Sequence, residues 1–95
     1  MKIDFDDAKN EKNIQERGIS FESAAEIDWE TALVGTDRRK EYGEPRYKAL
    51  CFIEDRLHVL VFTVRKGGIR VISLRKANRR EEREYEKTCE SRIDR

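Results

Sequence analysis

Apolar residues are not spread evenly along this chain. They concentrate between positions 47 and 74 and recur there at every second residue, the period of a half-buried strand. In RYKALCFIED (46–55), Tyr47, Ala49, Cys51 and Ile53 alternate with Arg46, Lys48, Leu50, Phe52 and Glu54, which predicts a strand with one apolar and one mixed face. LHVLVFTVRK (57–66) is the most apolar segment and reads as a central strand, reached through a tight Asp55-Arg56 connection. Gly67-Gly68 is a two-residue hairpin signal, because glycine accepts positive φ at both positions, and IRVISLR (69–75) follows as a further strand. TALVGTD (31–37) is a shorter strand, separated from the others by the charged turn RRKEYGEP (38–45), which holds the only proline.

Upstream the period changes. DAKNEKNIQER reads as a helix capped by Asp6 or Asp7 and ended by Gly18, with a thin apolar face of Ala8 and Ile14 and with Asn13 at its edge. Ser20 caps a second helix, FESAAEI (21–27), in which Phe21, Ala24 and Ala25 share a face, and Trp29 follows as a core or joint residue. KIDF (2–5) is an optional strand with Ile3 and Phe5 on one face. After the last strand, NRREEREYEKTCE (78–90) is a helix with Asn78 as its cap. The expectation is a single α+β domain over 1–95: two N-terminal helices, a four-stranded mostly antiparallel sheet and a C-terminal helix, with helices over one sheet face.

Composition narrows the function classes. No apolar run approaches the length of a membrane span, and the acidic N-terminus MKIDFDDAKN is unlike a secretory signal, so a cytoplasmic protein with reduced Cys51 and Cys89 is expected. One histidine and two separated cysteines make a metal site and a cofactor unexpected. The net charge of +1 conceals three zones: net −6 over 1–37, net +9 over 38–80 and net −2 over 81–95. RKGGIRVISLRKANRR (65–80) carries Arg65, Lys66, Arg70, Arg75, Lys76, Arg79 and Arg80 with no acid, the footprint of a polyanion site or of a solvated strand edge.

Across a Gly67-Gly68 turn, Arg65 opposes Arg70, a like-charge pair that favours an anion or a carboxylate between the two. In an unbroken strand Arg75 faces away from Arg70. Arg79 and Arg80 oppose the dipole of the last helix, which either Glu82, Glu84 and Glu86 or a bound phosphate would offset. His58 lies mid-strand and reads as structural. No phosphate loop, nucleophile elbow or carboxylate-rich metal constellation is present. Arginine, lysine, tyrosine and glutamate remain, a set able to cut RNA, because the 2′-hydroxyl is the nucleophile and the protein has only to stabilise charge and move protons. Lys40, Glu54, Tyr47 and Tyr85 are the proton-transfer candidates near the cations.

Nearly the whole chain resembles the BrnT family of type II toxin–antitoxin ribonucleases, relatives of the RelE-like toxins. The similarity rests on Asp6, Lys9, Asn13, Gly18, Ile19, Ser20, Phe21 and Glu22, then on Glu44, Arg46, Ala49 and Leu50. It ends with Thr63, Arg65, Arg70, Ile72, Ser73, Arg75, Ala77, Glu81 and Tyr85 in a Thr-x-Arg…Arg-x-Ile-Ser-x-Arg-x-Ala…Glu…Tyr pattern. Phe5 stands where the family commonly has Trp and Arg17 where it has His, both read as structural, and Glu82 replaces a usual Arg.

The resemblance implies a compact RelE-like fold and a metal-independent endoribonuclease that blocks translation and growth. It also implies a small ribbon-helix-helix antitoxin as partner, in a complex that binds operator DNA. On this reading Arg65 and Arg75 stabilise the transition state, Arg46, Arg70, Arg79 and Arg80 hold the RNA backbone, and Lys40, Glu54 and Tyr85 are candidates for proton transfer. The alternative is a non-catalytic module binding nucleic acid or a partner through the same basic patch.

Overall fold

The computed structural model describes residues 1–39, 41 and 43–93, the last three by backbone alone. Strands β1 (Lys2–Asp4), β2 (Ile27–Thr36), β3 (Tyr47–Ile53), β4 (Arg56–Arg65) and β5 (Gly68–Lys76) form one sheet in the order β1-β5-β4-β3-β2. The antiparallel meander β2–β5 is the one that alternation predicts. The sheet nevertheless has five strands, not four, because residues 2–4 add to the edge of β5 in parallel, with Ile3 level with Ile69. That pairing decides what Gly68 does. A Cβ at this position would collide with the backbone of Lys2, so Gly68 permits close approach. The β4–β5 loop is Lys66-Gly67, one residue earlier than expected, with Gly67 at φ 77. The β3–β4 loop is also one residue earlier, Glu54-Asp55, with Glu54 at φ 55.

Helix α1 (Asp7–Arg17) is capped by the Asp6 carboxylate and closed by Gly18 in the left-handed conformation, as expected. Its buried residue is different. Ala8 and Ile14 are exposed, and Asn13 is buried with 6% of its surface exposed. The Asn13 amide donates to the carbonyls of Ile19 and Leu74, both at 2.9 Å, so a polar side chain docks this helix on β5. Segment Phe21–Glu26 is a 3-10 turn rather than an α-helix. At three residues per turn, Phe21, Ala24 and Ile27 share a face and all three are buried, whereas Ala25 is exposed. Trp29 lies within β2, which begins at Ile27, and its indole meets Phe62 edge-on at 5.6 Å.

The helices divide between the two sheet faces. Helix α1 and the 3-10 turn cover the larger core, which includes Phe21, Leu60, Phe62, Val71 and Leu74. Helix α2 (Arg79–Ile93) crosses the other face and seals a smaller core of Leu57, Val59, Ala77 and Tyr85. It packs on the part of that face that carries Leu57, Val59 and Ala77. The candidate site lies beside it on the same face, over Val59 and Val61.

Candidate active site

A β-bulge gathers the cations. The β4–β5 register steps from Val61↔Ser73 to Phe62↔Val71, so Ile72 is an extra residue that reverses the alternation of β5. Ile69, Val71 and Leu74 therefore share the larger core, while Arg70, Ser73 and Arg75 all lie on the face crossed by α2. Strict alternation would have set Arg70 and Arg75 on opposite faces. The β3 alternation adds Lys48 to the same face, with Lys48 level with Val61 and Leu50 level with Val59. Along β4, Val59, Val61, Thr63 and Arg65 follow one another on it.

Arg75 is the best-held of these cations. Its two terminal nitrogens donate to Glu81 at 2.8 and 2.7 Å. Glu81 is in turn fixed by a reciprocal cap on α2. The Asn78 N–H donates to Glu81 Oε1 and the Glu81 N–H donates to Asn78 Oδ1, both at 2.9 Å. Lys48 Nζ stands 4.0 Å from the same carboxylate. The Arg75 hydrogen bonds hold the Glu81 carboxyl down to about 2, against the opposing effect of its burial. It is a fixed anion and a poor proton acceptor near neutral pH.

Beside this pair lies a cleft of about 150 Å³ lined by Arg17, Arg39, Lys48, Val59, Val61, Ser73 and Arg75. Four cations from α1, the β2–β3 loop, β3 and β5 surround an apolar floor. Arg39 is steered there by Asp37, whose carboxylate accepts from it at 2.8 and 2.7 Å. Low-dielectric flooring and converging donors are what a phosphate with developing charge requires. Nothing in the sequence alone marks Arg39, Ser73 or Glu81 as site residues, and Arg17 reads there as structural. Lys48 was visible in the β3 alternation, and Glu81, as a capping residue, in the Asn-x-x-Glu spacing. No local signal brings Arg17 or Arg39 to this place.

The other candidates are distributed differently. Arg65 is six residues beyond Val59 along β4, so it lies roughly 20 Å from the level of Arg75. It faces Gly68, not Arg70, because the turn is one residue earlier. Each of these two arginines has its own carboxylate, which removes the like-charge argument. Arg65 donates to Glu44 at 3.0 and 3.1 Å, and Arg70 to Asp4 at 2.7 Å.

Glu54 is exposed in the β3–β4 turn, away from the cleft. Tyr85, expected near the cations, is buried in the smaller core, where it donates to the Thr31 carbonyl at 2.7 Å and meets Phe52 edge-on. Tyr47 belongs to the opposite face, against Phe62. Arg79 and Arg80 are exposed on the first turn of α2, Arg79 beside Glu82, Arg83 and Glu86. Lys40 lies outside the described residues. His58 is buried, its Nδ1 2.8 Å from the Arg56 carbonyl, as a structural histidine should be.

Residues 5–81 match the family described as ribonuclease toxin, BrnT, of type II toxin–antitoxin system. The chain belongs to the BrnT family. A BrnT crystal structure, that of the ribonuclease toxin from Brucella abortus, superposes with a TM-score of 0.61 at 26% identity, over 83% of this chain and 99% of that one. No curated protein sequence matches. The BrnT match ends at Glu81, so it includes the Arg75–Glu81 pair and every cation of the cleft. A toxin of a type II system works against an antitoxin partner. No helix among the described residues is long and apolar enough to cross a membrane.

Proposed function

We propose that this chain is the endoribonuclease toxin of such a pair and that RNA is cut at the cleft beside Arg75. The observation that carries the reading is the convergence of Arg17, Arg39, Lys48 and Arg75 from four elements over Val59 and Val61. The 2′-hydroxyl of the substrate attacks the adjacent phosphorus. The bond to O2′ forms as the bond to the leaving O5′ breaks, which leaves a cyclic phosphate and a free 5′-hydroxyl. Arg75, held in place by Glu81, and Lys48 stabilise the additional negative charge, the larger part of the work such a site can do. Lys40, which follows Arg39 in the sequence, is kept as a proton-transfer candidate. The reaction as written needs no metal. Cleavage of cellular RNA would block translation and growth, and the neutralising partner is a ribbon-helix-helix antitoxin whose complex with the toxin binds operator DNA. The compact fold is of the RelE-like type.

The test is incubation of the pure protein with end-labelled RNA in EDTA. Discrete fragments are expected, none should form at a linkage whose 2′-hydroxyl is removed, and none should form with Arg75→Ala. Thermal unfolding of that variant separates lost chemistry from lost structure, since Arg75 also anchors Glu81. RNA that is retarded but left intact by the wild-type protein would favour the non-catalytic binding module.

A further inference from the structure

One level up from the cleft, the sheet face has a second cationic row. Thr63 lies opposite Arg70 on β5, and Arg46, the residue before β3, acts with Arg65 and Arg70 on the same Glu44 carboxylate. Thr63 has 1% of its surface exposed, and its hydroxyl oxygen is buried without a hydrogen-bond partner. A buried hydroxyl without a partner is unfavourable, so a β-branched apolar residue would serve a purely structural position better. This hydroxyl points to the face that carries the arginines. The Lys48–Val61–Ser73 row and the Thr63 row are two residues apart on β4, about 7 Å at the strand rise, on the order of the separation of neighbouring phosphates in an extended single strand.

We propose that Arg70 and Thr63, with Arg46, form a second phosphate subsite, so that the substrate is single-stranded RNA held by consecutive phosphates along β4. This rests on the reading of the cleft beside Arg75 as the cutting site. Arg70 Nη1 donates to Asp4 on β1, on the side of β5 away from Thr63, so this carboxylate competes with the ligand for the guanidinium, whose other terminal nitrogen remains for the phosphate. The subsite binds and registers the strand and takes no part in bond breaking.

The experiment compares a dinucleotide, which has one phosphate, with a tetranucleotide that extends the same linkage on both sides. Binding is measured with the 2′-hydroxyl at the cut linkage replaced by hydrogen, and cleavage with the intact ribose. Thr63→Val keeps the shape and removes the hydroxyl. It should weaken tetranucleotide binding and raise KM about tenfold, as for loss of one hydrogen bond to a charged group, with kcat and dinucleotide binding unchanged. Asp4→Asn, which relaxes the competing carboxylate, should tighten tetranucleotide binding and leave the dinucleotide alone.

Equal effects on both substrates, or none on the longer one, would overturn the subsite, even if Thr63→Val weakened antitoxin binding. If Thr63→Val has no effect while Arg75→Ala abolishes cleavage, only the subsite fails. If the wild-type protein neither binds nor cuts the tetranucleotide, the cutting-site reading fails with it.

Discussion

At the scale of single residues, polar groups do the positioning that apolar ones usually do. Asn13 is the buried residue of α1, and its amide joins that helix to the Ile19 and Leu74 carbonyls. Asn13→Leu keeps the size but leaves two buried carbonyls without a donor. It should destabilise the protein by about 2–4 kcal/mol in urea unfolding and loosen the helix that carries Arg17. The helix looked weakly amphipathic because its docking group is an amide that periodicity counts as polar. The Arg75–Glu81 pair gives a prediction of acid sensitivity. Glu81 falls from 4.5 to about 2 on folding, so its contribution is complete above 4.5 and disappears as pH drops from 4.5 through 2. With Arg75 about a third exposed, that contribution is about 1–2 kcal/mol after solvent screening. Glu81→Gln should flatten the fall in melting temperature across that interval, and an unchanged acid profile would remove Glu81 from the account.

At the scale of elements, alternation made β2 through β5 readable, and it failed where the chain departs from period two. The Ile72 bulge is such a departure. Nothing in IRVISLR marks an extra residue, yet that residue decides that Arg70 and Arg75 share a face. Without it Arg75 reads as an isolated strand-end cation and Lys48 as a solvated one. The 3-10 turn is a similar case, since Phe21 and Ala24 fit both periods and only the burial of Ile27 against the exposure of Ala25 separates them. The glycine pair shows how one signal can hide two causes. Gly67 supplies a positive φ, and Gly68 supplies room for β1. Gly67→Ala should therefore cost about 1 kcal/mol with β1 intact. Gly68→Ala has backbone, not a flexible side chain, in its way, so it should release β1. Amide hydrogen exchange would show the loss as deprotection of Lys2, whose N–H donates to the Gly67 carbonyl, and equal exchange in the two variants would mean that β1 does not depend on the close approach.

At the scale of the whole molecule, the sheet separates charge. The acids of α1 and the 3-10 turn are exposed on one side, and Arg75, Lys48, Arg70 and Arg65 occupy the other. Four carboxylates on that side, Asp4, Asp37, Glu44 and Glu81, each hold an arginine, so the basic face is preorganised and only partly neutralised. A net charge of +1 predicts weak long-range attraction for RNA, whereas the face itself predicts strong local attraction. Salt dependence distinguishes the two. Each phosphate neutralised on a single strand adds about 0.7 to the slope of log affinity against log salt. Binding through the cleft and the Thr63 row together should give a slope of about −1.4 or steeper, with Arg70→Ala lowering its magnitude by about 0.7. Charge reversal on the acidic side, Glu22→Lys, should leave the slope unchanged, because that charge lies across the sheet and is screened within about 10 Å at 0.1 M salt. If Glu22→Lys steepens the slope as much as Arg70→Ala reduces it, the RNA responds to net charge, and the ordered row of cations along β4 is not what binds it.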